Sequence, residues 1–160
     1  MYYPDLSPYV YFREHVTALP AEFDAIWNQP SVVNIGWLDP AFPFETGIVS
    51  ERFMDRLFEL CRHKVNQTRG LHFCPYCTSP ATVVLRVKSE GEVKEILAPV
   101  PMRTKRNHIS INLGSAEIRV VDPYGVTYAC PDMIYHYVAD HGYLPPDAFI
   151  NAVLGAKMSG

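Results

Sequence analysis

The chain has 160 residues, of which 48% are hydrophobic and 19% are charged, and its formal net charge is −3. This length and composition predict a single folded domain over residues 1–160 and exclude a disordered chain, because the apolar residues suffice for a core. No run approaches the roughly 18 apolar residues of a membrane span, and the N-terminus lacks the pattern of a secretory signal. We therefore expect a cytoplasmic protein with no membrane partner, in which the four cysteines are thiols or metal ligands rather than disulfides.

The charge is distributed unevenly along the chain. Residues 1–60 carry three basic and nine acidic side chains, residues 61–120 carry ten and four, and residues 121–160 carry one and four. The acidic first part is expected to compensate the basic middle part across the folded molecule. A basic face for nucleic acid is the alternative, weakly supported by the run at 103–108 (RTKRNH), which follows two prolines and is predicted to form an exposed loop.

The first 48 residues are rich in proline and aromatic residues. Proline fixes φ and lacks an amide donor, which disfavours long regular elements, whereas the aromatic side chains require burial. The pattern predicts an irregular N-terminal arm, residues 1–48, packed on the core, with a short strand near Val32–Trp37.

A helix is predicted from Glu51 to Arg62. Ser50 is a favourable N-cap, and an acidic residue at position 51 suits the positive helix N-terminus. Apolar residues then recur at helical spacing up to Cys61.

The remainder of the chain predicts strands followed by helices. Residues 81–88 and 93–98 are rich in β-branched residues around a Gly-containing turn, as in a hairpin. A further strand pair joins residues 108–112 or 116–121 to residues 126–129, and helices are predicted over 131–140 and from 147 onward. The fold class is therefore α+β: a central antiparallel sheet with flanking helices, a zinc-knuckle-like loop and the N-terminal arm.

The metal-binding loop is predicted at residues 61–77. Cys74 and Cys77 form a Cys-x-x-Cys pair, a spacing that allows two thiolates to hold one zinc ion. His72, two residues earlier on an extended approach, has its side chain on the same side as that of Cys74. Together with Cys61 these residues would complete a Cys3His set, so we expect one structural zinc per chain.

Other interpretations of the cysteines remain open. Cys-Pro-Tyr-Cys also occurs in redox proteins, but there a helix follows the motif, whereas here a strand pattern follows. Cys61 lies on the apolar face of its helix and can be a packed core thiol, in which case Cys130 would replace it. His63, His136 and His141 are further candidates for the fourth ligand, although a straight helix separates the last two by about 140°.

Three polar residues are candidates for catalysis. Glu117 and Arg119 alternate with apolar residues and so share the outward face of a strand, where they form either a solvated ion pair or a recognition pair for a polar ligand. His136 stands between two tyrosines as either a general base or a packed histidine.

Several segments resemble a family of small bacterial proteins known only as a domain of unknown function. They are residues 3–7 (YPDLS), 34–38 (NIGWL), 69–77 (RGLHFCPYC), 114–120 (GSAEIRV) and 134–138 (IYHYV). The resemblance covers about half of the chain and implies a bacterial protein of this size, without implying an activity.

Two functions are compatible with these patterns. The first is a zinc-stabilised binding module for a protein partner, of the immunity or adaptor type. The second is a metal-containing hydrolase or nucleic-acid-acting enzyme that uses His136, Glu117 and Arg119. The enzyme requires these three side chains to share one cleft, whereas the binding module does not.

Overall fold

The computed structural model describes residues 2–10, 31–68, 70–77, 82–89 and 91–156. The elements of these residues, in chain order, are β1 (Val32–Asn34), α1 (Glu51–Arg62), β2 (Thr82–Ser89), β3 (Glu92–Pro99), β4 (Met102–Arg106), β5 (Ile109–Leu113), β6 (Glu117–Val121), β7 (Thr127–Pro131), α2 (Ile134–His141) and α3 (Asp147–Gly155). The predicted α+β class is confirmed.

A three-stranded sheet with the order β1-β7-β6 forms the centre of the fold. β6 and β7 pair antiparallel around the predicted turn, whereas β1 pairs parallel to β7, so the sheet is mixed rather than purely antiparallel. A parallel neighbour requires a long crossover, and residues 35–126 supply one.

The remaining strands form two separate hairpins, β2–β3 and β4–β5. The predicted exposed loop at 103–108 is wrong: most of this run is strand β4, which reaches β5 through a two-residue turn. Asn107 and His108 have φ of 47° and 65°, as the turn type favoured in hairpins requires. Arg106, the last residue of β4, forms ion pairs of 2.6 Å with both Glu51 and Asp55 of α1. These pairs neutralise one of the cations of the basic run at 103–108.

Helix α1 has the predicted bounds, and the Ser50 hydroxyl accepts the Phe53 amide at its N-terminus. Its apolar face, which includes Phe53 and Leu57, is buried against α2, α3 and β6. The Phe53 and Phe149 rings meet edge to face. Burial of this face stabilises the helix more than its intrinsic propensity does.

The first residues of the chain are tied to the sheet. The Tyr9 amide donates to the Val32 carbonyl, and the Asp5 carboxylate accepts the Gly36 amide and the Tyr143 hydroxyl. Burial raises the pKa of Asp5. Residues 11–30 of the predicted arm lie outside the described residues, so the packing of the whole arm stays a prediction.

The β2–β3 hairpin is exposed on both faces. Val84, Val93 and Leu97 keep 58%, 63% and 72% of their surface accessible. A two-stranded ribbon is marginally stable by itself in water, and exposed aliphatic side chains on it are typical of a contact surface. None of the helices in the described residues has the length and apolar character of a membrane span.

Candidate metal centre

Four side chains, two thiols and two imidazoles, converge at one point of the surface. The ligand atoms of Cys74, Cys77, His136 and His141 all lie within 4.8 Å of one another. The Cys74 and Cys77 sulfurs lie 3.2 and 3.5 Å from the His141 Nε2 atom, and the two imidazole Nε2 atoms are 3.1 Å apart. The Cys77 sulfur lies 3.2 Å from the His136 Nε2 atom.

Four of the six separations within the cluster are close to those around a single four-coordinate ion, and all six are at most 4.8 Å. Bonds of about 2.3 Å to sulfur and 2.0 Å to nitrogen in a tetrahedron place neighbouring ligand atoms about 3.3–3.8 Å apart. The four measured separations, 3.1–3.5 Å, lie at or slightly below that range. The cluster therefore has the ligand types and the dimensions to hold a metal ion.

The cysteine half of the cluster lies in residues 74–77, a turn that follows the residue 70–73 segment. The amides of Tyr76 and Cys77 donate to the Cys74 sulfur, which favours its thiolate, although burial raises the pKa of Cys74 overall. Cys74 is buried, whereas Cys77 is exposed. The loop thus presents one sulfur from the interior and one from the surface.

The histidine half of the cluster is helix α2. The His136 Nδ1 atom lies 2.6 Å from the Asp140 carboxylate, one turn further along, and this contact directs the Nε2 atom to the cysteines. A carboxylate partner of this kind commonly orients a metal-binding imidazole. His141 is the last residue of the helix, before Gly142 with φ of 66°.

The structure brings His136 and His141 together despite their separation around the helix axis. Their ring centroids are 4.8 Å apart and nearly perpendicular. The two side chains leave the helix in different directions, but each imidazole is long enough for their Nε2 atoms to approach to 3.1 Å. The histidines fit the His-x4-His spacing of zinc sites, and this signal was available in the sequence.

Cys61 and His72, which the sequence predicted as ligands, are not members of the cluster. The Cys61 thiol is fully buried in α1 and donates to the Asp132 carbonyl at 3.5 Å, and burial raises its pKa. The His72 ring contacts the Tyr137 hydroxyl at 3.3 Å. The amphipathic face of α1 directs Cys61 into the core, which separates it from the loop.

The other two candidate ligands also lie elsewhere. Cys130 is fully buried in β7, with its thiol 3.8 Å from the Ile118 carbonyl, and burial raises its pKa. His63 lies at the end of α1, where its ring is 3.2 Å from the Glu59 carboxylate. The structure therefore brings together Cys74 and Cys77 from the predicted set, with the two histidines that were only alternatives.

The catalytic candidates Glu117 and Arg119 contact each other at 3.0 Å. Glu117 is buried, not solvated, because the segment that includes Val65 pairs with β6 and covers it. Its carboxylate accepts the Tyr9 hydroxyl at 2.6 Å and the Asn66 amide at 3.1 Å. The Arg119 guanidinium also lies 4.4 Å from the centre of the Tyr9 ring.

His136 does not join this carboxylate network. Among the described residues, its polar side-chain contacts are Cys77, Asp140 and His141. Those of Glu117 are three different residues, on the strand β6 side of the fold. The convergence that the predicted enzyme requires is therefore not found in the described part of the chain.

The fold and the cluster together define a small α+β protein with a candidate Cys2His2 metal centre. Comparison with known families then assigns it: the chain belongs to the family described as Domain of unknown function (DUF7919), whose model matches residues 1–154. This confirms the resemblance to an uncharacterised family. No curated protein and no solved structure matches the chain.

Proposed function

We propose that the cluster binds one structural zinc ion per chain and that the protein is a cytoplasmic binding module for a protein partner, of the immunity or adaptor type. The observation that carries the proposal is the meeting of two thiols and two imidazoles within 4.8 Å. Four protein ligands fill a tetrahedron, as in structural zinc sites, whereas catalytic sites retain an open position.

Zinc is the metal that suits this donor set best. Thiolate and imidazole ligands in tetrahedral geometry favour zinc over magnesium, calcium or manganese, which prefer oxygen. The ion would tie the loop of Cys74 and Cys77 to helix α2. The role of the ion at this site would be structural, because it would hold together two segments that are far apart in the sequence.

A binding module is favoured over an enzyme by the placement of the polar groups. The three catalytic candidates occupy two networks, since His136 belongs to the metal centre and Glu117 contacts Arg119, Tyr9 and Asn66. The hydrogen bonds and ion pairs within each network account for the placement of its polar side chains. The exposed aliphatic side chains of the β2–β3 ribbon, in contrast, suit contact with the surface of another protein.

A protein partner is favoured over nucleic acid by the charge of the exposed ribbon. Two of the three cations of β2–β3 lie near carboxylates: Arg86 pairs with Glu95 at 2.9 Å, and Lys94 lies 3.9 Å from Glu92, whereas Lys88 has no such partner among the described residues. Of the three cations of β4, Arg106 is likewise neutralised by α1, whereas Arg103 and Lys105 are exposed without a carboxylate partner among the described residues. A phosphate-binding surface needs several basic residues that are not engaged by carboxylates, and the described residues of the ribbon provide one.

The metal proposal is tested by elemental analysis of protein purified without chelator. We expect about one zinc per chain and a lower melting temperature after chelation, because metal binding and folding are linked. Protein that contains no zinc, or whose melting temperature is unchanged after confirmed zinc loss, would refute it.

The partner proposal is tested by a photo-crosslinking amino acid placed in the native host at position 97, on the β2–β3 ribbon. Position 124, which is 92% exposed on the β6–β7 turn, is the matched control. We expect one specific protein adduct from position 97 and none from position 124. Equal labelling from both positions, or nucleic-acid adducts, would contradict a protein-binding ribbon.

A further inference from the structure

We propose that the outer edge of β2 is an interface for a second copy of this chain, which pairs with it antiparallel about a two-fold axis at Leu85. The two β2–β3 ribbons then form one four-stranded sheet with the strand order β3-β2-β2-β3. The inference goes beyond the proposed function, because it concerns the edge of the ribbon and requires neither the metal ion nor the partner protein.

The backbone of β2 presents an open edge. β2 pairs with β3 from Thr82↔Pro99 to Ser89↔Glu92, which leaves two residues for the turn. The residues that flank a two-residue hairpin turn exchange both of their backbone hydrogen bonds, and bonded pairs alternate from there, so residues 82, 84, 86 and 88 direct their amides and carbonyls outward. In the described part of the chain, no other strand pairs with β2. Such an edge is a template for a further strand.

The ribbon also exposes apolar surface beside this edge. Val83, Leu85 and Val87 share one face of β2, and Ile96 of β3 lies opposite Leu85 on the same face. These four side chains keep 42–48% of their surface accessible. A two-stranded ribbon is marginally stable by itself in water, whereas three or more strands with an apolar face are stable. A second ribbon supplies the missing strands.

The apolar residues of β2 are placed symmetrically around Leu85. When Leu85 lies opposite its own copy, Val83 of each chain lies opposite Val87 of the other. Aliphatic pairs that face each other directly across two strands stabilise a sheet. The apolar face therefore continues without a polar residue across the axis.

The other face of β2 is compatible with the same register. Thr82 then lies opposite Lys88, and Val84 lies opposite Arg86. The Arg86 guanidinium is paired with Glu95 of its own chain at 2.9 Å, so no like charges face each other directly over residues 82–88. An axis at position 86 would place Arg86 opposite its own copy, and an axis at position 84 would leave the end of β2 without a partner strand.

The outer edge of β3 is less suited to the same contact. Its outward backbone groups belong to residues 93, 95, 97 and 99, and Pro99 has no amide to donate. The two registers nearest the middle of β3 place Lys94 or Glu95 opposite its own copy, which is unfavourable. β2, in contrast, has no proline between its ends. The sequence thus favours the β2 edge.

The contact is small and closed. Pairing over residues 82–88 of each chain is below the size of a standard protein interface, so we expect a Kd on the order of 10 μM. Because the interface is isologous, the same edge of both copies is used and the assembly stops at a dimer. Leu97 lies on β3 and on the face opposite Leu85, so the partner test at position 97 is unaffected.

Sedimentation velocity of the zinc-loaded protein tests the dimer, over about 1–200 μM to span the expected Kd. Val84→Pro removes one outward amide but none that the ribbon itself uses, and should weaken dimerisation at least tenfold. Leu97→Pro, at the facing position on the other edge, is the matched control and should dimerise like the wild type. A wild-type protein that is monomeric throughout, or equal weakening in both variants with their folds checked by circular dichroism, would overturn the inference.

Cysteine cross-linking tests the register without proline. Directly opposite residues of a non-hydrogen-bonded antiparallel pair have Cα atoms about 4.5 Å apart, which a disulfide can span. Leu85→Cys should therefore give a covalent dimer with oxidised glutathione, which is reduced to two thiols as the disulfide forms. Val87→Cys should not, because its copies stand four positions apart along the strands, about 14 Å. The wild type controls for the native thiols, and equal cross-linking of both variants would overturn the register.

A photo-crosslinking amino acid at position 84 in the native host identifies the occupant of the edge. We expect an adduct with twice the mass of the chain, whereas an adduct with a different protein and no dimer would overturn the assignment to a second copy. Zinc content is measured on the purified samples. One zinc per chain in a monomeric protein would refute this inference alone, and a dimer without zinc would refute the proposed metal centre alone.

Discussion

Replacement of Cys77 by serine should release the metal and lower stability by a calculable amount. Cys77 is exposed, so the substitution removes a ligand without opening a core cavity. A metal ion bound by the cluster would tie this loop to α2 and so close a loop of about 60 residues, from Cys77 to His136. The loop-entropy relation for a cross-link of that length gives about 4 kcal/mol of stabilisation.

The change should be seen as both zinc loss and a lower melting temperature. A chain of this size shifts by about 2–4 °C per kcal/mol, so about 4 kcal/mol corresponds to a fall of about 8–16 °C. Zinc in the dialysed protein is measured by mass spectrometry, and unfolding by calorimetry. Wild-type protein after chelation should show the same fall, since both lack the cross-link.

The matched controls are the two ligands that the sequence suggested. Cys61→Ser and His72→Ala should each retain one zinc, because neither side chain belongs to the cluster. Cys61→Ser is still expected to lower stability through its packing in α1. If these variants lose zinc and Cys77→Ser retains it, the cluster is not the metal centre and the reasoning is refuted.

Two further outcomes are expected from the backbone and from the surface charges. Gly114→Ala should destabilise by about 4 kcal/mol or more, because the new Cβ would lie 2.3 Å from the His72 carbonyl oxygen; Gly125→Ala, also at positive φ but in open space, should cost only about 1–2 kcal/mol in the same urea titration. The Arg106 hydrogen bond lowers the pKa of Asp55, so this pair stabilises the fold above the unfolded pKa near 3.8 and the effect is lost as pH falls through the folded pKa. Asp55→Asn should therefore reduce the loss of stability below about pH 4, and an unchanged acid limb would contradict the assignment.

Short-range sequence patterns predicted those elements whose formation depends on neighbouring residues. Helix α1 was predicted at about the bounds that the structure shows, because Ser50 caps it and its apolar stripe is regular. β4 was predicted as a loop because nearby prolines and a cluster of cations are typical of exposed turns. Only the folded structure shows that α1 lies close enough to neutralise Arg106.

The candidate site was half predictable for the same reason. Cys74 and Cys77 are three positions apart, so their spacing alone indicates a shared ligand. The two histidines stand 59 and 64 residues beyond Cys77, and proximity along the chain favoured Cys61 and His72 instead. Loop closure costs little more for long segments than for short ones, so sequence distance is a poor guide to the partners of a metal-binding pair.

The chain between Cys77 and His136 contains both hairpins, and its two ends meet at the cluster, which takes Cys77 from the loop and His136 from α2. The His72 amide also donates to the Gly114 carbonyl at 2.6 Å, which joins the chain just before β2 to the chain just after β5. The contacts that hold the two ends of this segment together therefore do not depend on the residues of the β2–β3 hairpin. Residues of the β2–β3 ribbon can change in length and sequence without displacing a member of the cluster, which makes the ribbon the part of the described fold that is freest to diverge.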